Sequence, residues 1–195
     1  TLTVDGQNSD DAMNFAGAVT TTGVGITIAT ADTVDFDADV VAANGISIST
    51  VATDVDLGAD VDLTATTGAL SANSGVTLIN LSGVGSNVVA ASAGDVNLGA
   101  VNDSANVAEL QIDGENVTLA AITLDNGGAS LLDVNLDGAA DGGAKTLAAG
   151  GAINVGTLTV DGQNSDDAMN FAGAVTTTGV GITIATADTV DFDAD

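Results

Sequence analysis

Gly25-Ile26-Thr27-Ile28 is followed twenty residues later by Gly45-Ile46-Ser47-Ile48. Each is a short apolar–polar alternation entered through a glycine, the pattern of a strand with one buried face. The pattern returns as Gly75-Val76-Thr77-Leu78, Asp95-Val96-Asn97-Leu98, Asn116-Val117-Thr118-Leu119, Asp133-Val134-Asn135-Leu136 and Ala152-Ile153-Asn154-Val155. No stretch of useful length carries a helical period. Strands this short cannot bury their apolar edges singly. Stacked, they bury a continuous column of Val, Ile and Leu. The expectation is an all-β chain folded as a parallel β-solenoid, with about eight coils of roughly 19–20 residues in each sequence period.

The period itself is explicit. Residues 1–39, TLTVDGQNSDDAMNFAGAVTTTGVGITIATADTVDFDAD, recur unchanged as residues 157–195, an offset of 156. Residues 1–156 therefore read as one full period of a continuous solenoid, and 157–195 as the first quarter of the next. The chain is expected to be a window on a longer periodic protein, continuing after Asp195 with the equivalent of Val40-Val41-Ala42. The absence of proline agrees with strands in continuous ladders, where proline would delete a hydrogen bond.

Composition excludes whole classes of function. The 195 residues carry 27 acidic side chains and one basic one, Lys145, for a net charge of −26. There is no His or Cys, so imidazole bases, thiolate nucleophiles and the usual zinc, haem and iron–sulfur ligands are missing. With one cation, nothing can track a nucleic-acid backbone, and no nucleic-acid partner is expected. The hydrophobic fraction of 45% and mean hydropathy of +0.40 argue against disorder. Residues 63–94 are uncharged, but Asn73, Asn80, Asn87 and several hydroxyls interrupt them, so no membrane span is expected.

Ser92-Ala93-Gly94-Asp95-Val96-Asn97-Leu98-Gly99-Ala100 and Ile112-Asp113-Gly114-Glu115-Asn116-Val117-Thr118-Leu119-Ala120-Ala121 resemble the G-D-V-x-L-x-A coils of filamentous-haemagglutinin-like bacterial exoproteins and adhesins. The resemblance covers most of the chain through a degenerate motif. It implies a right-handed β-helix, secretion, and an extracellular or cell-surface role in adhesion or structure. The unbroken 156-residue period departs from that family's imperfect repeats and favours a fibre-building array.

One period holds 18 Asp, 2 Glu and 1 Lys, a net charge of −19. Spread over eight coils, or roughly 38 Å, that is about one charge per 2 Å. The acids cluster: Asp32, Asp35, Asp37, Asp39, Asp54, Asp56, Asp60 and Asp62 crowd one short stretch of the period. If such strands stack in register, their carboxylates face each other about 5 Å apart and repel. Two readings stand side by side. One is a solvated acidic face. The other is a set of divalent-cation ligands, with Asp35, Asp37, Asp54, Asp56, Asp60 and Asp62 as candidates and calcium as the cation. Asp133-Val134-Asn135-Leu136-Asp137-Gly138-Ala139-Ala140-Asp141 matches the opening of a D-x-[DN]-x-[DN]-G calcium loop. Its twelfth position is Ala144, so Asp133 and Asn135 fit a strand better, with Asp137 and Asp141 left at its exit as ligands. No cofactor is required by any of this.

The charge-free residues 63–94 form either ordinary coils or a band where rods pack side by side, with Thr66 and Ser86 as lateral-contact candidates. Lys145 is expected to pair with Asp141 or Asp125. The composition and repeats together suggest a non-catalytic, acidic, extracellular filament or surface-coat protein. It would self-associate with the help of cations. The alternative is the shaft or binding region of a secreted adhesin, although carbohydrate recognition is disfavoured by having four aromatic residues, all Phe. An enzyme would have to use paired carboxylates such as Asp54/Asp56 or Asp60/Asp62. A flat threonine array of the ice-binding kind is not evident.

Overall fold

A computed structural model describes residues 1–72, 78–124, 128–136 and 143–194. Among these residues every regular element is a strand, and every strand pairing is parallel. The strands fall into three ladders, visited in strict rotation, so the chain is a three-sided parallel β-solenoid. The first ladder stacks Leu2, Ile26, Ile46, Leu70, Val96, Val117, Leu147, Met169 and Val190. The second stacks Met13, Val34, Val55, Ile79, Val101, Ile122, Ile153 and Val175. The third stacks Val19, Val40, Leu63, Val89, Ile112, Val134, Val160 and Ile184.

The first ladder makes eight turns between Leu2 and Val190. Most of these turns are longer than the sequence motif suggests. The turn from Ile26 to Ile46 fits the expected length, whereas the one from Val117 to Leu147 is half as long again. The reason is visible in the motif. Val96-Asn97-Leu98 lies on the first ladder, Asp133-Val134-Asn135 on the third, and Ile153-Asn154-Val155 on the second. A motif that marks any face cannot be counted as one per turn.

Inward side chains from the three ladders form one continuous core. Ile26, Ile46, Val34, Val55, Leu63 and Val134 are all at most 2% exposed. Each such burial contributes roughly 1.5–3 kcal/mol, which offsets the entropy of ordering a short strand. Glycine permits the tightest stacking. A Cβ on Gly25 would lie 2.6 Å from the Gly45 carbonyl oxygen, and one on Gly45 would lie 2.7 Å from that of Ala69. The corner between the first and second ladders instead strains its residues: Thr30 and Thr50 take φ of 55° and 56°. A β-branched residue adopts this left-handed region only when the stack imposes it.

The two identical blocks fold identically. Leu2 pairs with Ile26 as Leu158 pairs with Ile182, and Ala12 with Thr33 as Ala168 with Thr189. Thr30 and Thr186 share their positive φ, as do Gln7 and Gln163. Phe15 stacks on Phe36 at 5.0 Å, and Phe171 on Phe192 at 4.8 Å. Yet the blocks sit on different faces. Leu2 begins on the first ladder and Leu158 on the third. One period therefore spans twenty strands, or six and two-thirds turns, and the pattern steps round the rod by one face per period.

Candidate functional surface

Strand alternation places every second residue on the outside, so each ladder carries an outward file. On the second ladder that file runs Asn14, Asp35, Asp56, Asn80 and Asn102. Asn14 Nδ2 donates to Asp35 Oδ2 at 2.8 Å and to Asp37 Oδ2 at 3.4 Å, and Asn80 Nδ2 donates to Asp56 Oδ1 at 2.5 Å. On the third ladder Asn135 lies between Asp113 and Asp161 and donates to Asp113 Oδ1 at 2.8 Å. Asn116 donates likewise to Asp95 Oδ1 at 2.8 Å. Amides from adjacent turns thus hydrogen-bond the carboxylates that parallel stacking brings close. A charge-assisted bond to an ionised acceptor is stronger than a neutral one.

The remaining candidates occupy corners and strand ends. Asp60 has φ 54° and accepts the Ser86 N–H at 3.0 Å. Asp62 accepts the Val88 N–H at 2.9 Å and gives its own N–H to Asp39 Oδ1 at 3.1 Å. Asp54 stacks on Thr33, close to Asp32, Asp35 and Asp56, and its Oδ1 is buried without a hydrogen-bond partner. Asp133 stacks between Gln111 and Thr159. Asp137 and Asp141 lie outside the described residues. Among the described residues no group of three or more acidic side chains converges in a way that could hold a metal ion.

Three carboxyls are held above the ordinary value of 3.8. For Asp54 the main cause is burial, reinforced by Asp56, Asp32 and Asp35. Burial also leads for Asp62, opposed by the Val88 N–H and reinforced by Asp39 and Asp60. Asp133 follows the same order, with burial opposed by Asn135 and reinforced by Asp113 and Asp161.

The uncharged stretch 63–94 supplies strands to all three ladders instead of forming a band of its own. Thr66 is exposed, and its N–H bonds the Ala42 carbonyl at 2.8 Å. Ser86 is exposed but stacks directly on Glu109, and its N–H donates to Asp60. The neutral surface runs instead along the first ladder. Its outward file is Thr3, Thr27, Ser47, Ser71, Asn97 and Thr118. Sequence reading missed this file because its members lie a full turn apart, at unequal spacings, and vary among Thr, Ser and Asn.

Sequence reading also missed three buried polar residues that join turns. Asn87 faces inward and donates to the Gly58 and Val61 carbonyls, each at 2.9 Å. Ser130 bridges the Leu124 carbonyl and the Gly156 N–H, both at 2.9 Å. Asp167 accepts the Lys145 N–H at 2.8 Å and the Asn164 N–H at 3.2 Å. Lys145, 6% exposed, forms an ion pair with Glu115 at 3.7 Å. The partners expected for it, Asp125 and Asp141, lie outside the described residues.

Two shallow depressions mark the rod. One, about 270 Å³, is lined by Thr123, Asn154, Thr176 and Thr178 with Leu124 and Val155. The other, about 550 Å³, is lined mainly by Thr, Ala and Asn side chains with Asp191. Among the described residues no helix is long and apolar enough to cross a membrane. Comparison with protein-family models, curated proteins and solved structures finds no match to this chain.

Proposed function

We propose that this chain is part of an extracellular structural filament or surface coat, non-catalytic and built from tandem copies of the 156-residue period. The observation that carries the reading is the equivalence of the two identical blocks. Each keeps the same registers and corner geometry while occupying a different face. A sequence that can be placed on any face without repacking can be repeated indefinitely along an axis. In such a rod every turn is tied to the next by three parallel ladders, and axial load is shared among them. The likeness to haemagglutinin-like coils belongs to the same proposal, as does secretion.

Charge shapes how such rods would associate. A net −19 over six and two-thirds turns, about 32 Å, is one charge per roughly 1.7 Å, close to the linear density of duplex DNA. Rods of that density repel at low ionic strength. Cations, calcium among them, would gather along the axis and permit close approach. The neutral first-ladder file gives lateral contact a place where few carboxylates must be desolvated.

The test is antibody labelling and electron microscopy of intact source cells. Filaments or a coat labelled without permeabilisation are expected. Labelling only after permeabilisation would overturn the reading.

A further inference from the structure

We infer that the edge formed by residues 175–192 recognises residues 40–57 of a second copy of this chain. Residues 157–195 of one molecule then take the place of residues 1–39 of the other.

Identical residues meet different neighbours in the two blocks. In the first block, residues 40–57 cover the edge through Val19↔Val40, Ile26↔Ile46, Val34↔Val55 and Phe36↔Leu57. Ile26, Val34 and Phe36 are consequently 2%, 0% and 1% exposed. Their counterparts in the second block are Ile182, Val190 and Phe192, at 44%, 41% and 46%. No described residue covers them. The uncovered strands also present unpaired backbone donors and acceptors, a template for another strand. Sequence, register, corner φ and ring stacking agree between the blocks. The segment that fits one edge therefore fits the other. It is also the segment that a directly following copy of the period would supply in cis.

Exchange requires residues 1–39 to leave. They are the outermost block of a stack in which each turn contacts only its neighbours, so they are the least costly to detach. Leu2, Met13, Phe15 and Val19 are only partly buried, whereas Met169 and Phe171 are at most 1% exposed. The incoming molecule is turned by one face relative to the first, because residues 157–195 sit one face round from 1–39. The contact is heterologous and does not close on itself, so its product is an open filament. Each added molecule advances the rod by six and two-thirds turns, about 32 Å. The inference rests on the filament reading and deepens it by naming a contact between chains.

Sedimentation of the 195-residue chain from micromolar to millimolar concentration, at high salt to screen repulsion, tests it. The weight-average mass of the wild type is expected at least to double across this range. Phe192→Asp should remain monomeric with an unchanged melting curve, because Phe192 is already half exposed in the monomer. Val180→Asp adds the same charge at a position 92% exposed, whose counterpart Val24 stays 40% exposed when covered. It should associate like the wild type. Phe36→Asp, the same residue in the first block, should loosen residues 1–39, expose 40–57 and increase association. If that variant fails to fold, the Phe192→Asp and Val180→Asp pair still decides. Equal behaviour of wild type and Phe192→Asp, or equal loss in Val180→Asp, would overturn the inference. A monomeric chain that nevertheless labels at the cell surface would sink the exchange and leave the filament reading standing.

Discussion

Asp35 and Asp56 are register partners on consecutive turns of the second ladder, and Asn14 and Asn80 stand immediately outside them. Each carboxylate has an amide on one side and a like charge on the other. Replacing one acid by its isostere should relieve the repulsion while keeping an acceptor for Asn80. Asp56→Asn is expected to stabilise the fold by about 0.2–1 kcal/mol, with the gain shrinking as salt is added. Thermal melts across a salt series check both the sign and the salt dependence.

The raised carboxyls give the molecule an unusual pH response. Asp54, Asp62 and Asp133 bind protons more readily folded than unfolded, where the ordinary value of 3.8 applies. Between 3.8 and their raised values the native state holds more protons, so stability falls as pH rises through that window. Mild acidification from neutrality should therefore raise the melting temperature until these groups are protonated in both states. Asp54→Asn should blunt the effect. A melting temperature that drops steadily from neutral pH would contradict this.

Asn87 replaces an apolar residue at an inward position because two corner carbonyls need its amide. Asn87→Ala leaves the Gly58 and Val61 carbonyls without that donor and should cost about 2–3 kcal/mol. Hydrogen exchange should show lost protection concentrated around residues 58–62 and 86–91.

Identical residues should respond differently according to their neighbours. Phe36→Ala removes a ring that is 1% exposed and should cost roughly 3–5 kcal/mol. Phe192→Ala removes the same ring where it is 46% exposed, leaving mainly the stack on Phe171, worth about 1 kcal/mol. Urea titrations of the two variants should separate them clearly.

The corner at Thr30 stores backbone strain. Asn tolerates the left-handed region that Thr resists, so Thr30→Asn should stabilise by about 1 kcal/mol, as should Thr186→Asn at the equivalent corner. A loss of stability in both would mean that the threonine side chains outweigh the strain.

Much of the architecture was legible in the sequence because it depends on local alternation and on repetition. Ile26-Thr27-Ile28 and Ile46-Ser47-Ile48 show their buried faces without reference to anything distant. The candidate surface was harder to read. Acidic residues such as Asp35 and Asp56 could be expected to stack, but their Asn partners lie 21 and 24 residues away and belong to other turns. The hydroxyl file on the first ladder was hidden for the same reason: its members are neighbours across turns of unequal length.

By itself the sequence determined the class of fold, its periodicity, the aliphatic core and the heavy negative charge. These follow from residue types and short-range order. Only the tertiary structure decided how many residues make a turn, which face each strand occupies and which outward side chains meet. Corner lengths set those relationships, and corners are where composition constrains the chain least. The identical blocks make the division plain: one sequence folds one way twice, while the stack decides that Phe36 is buried and Phe192 is open.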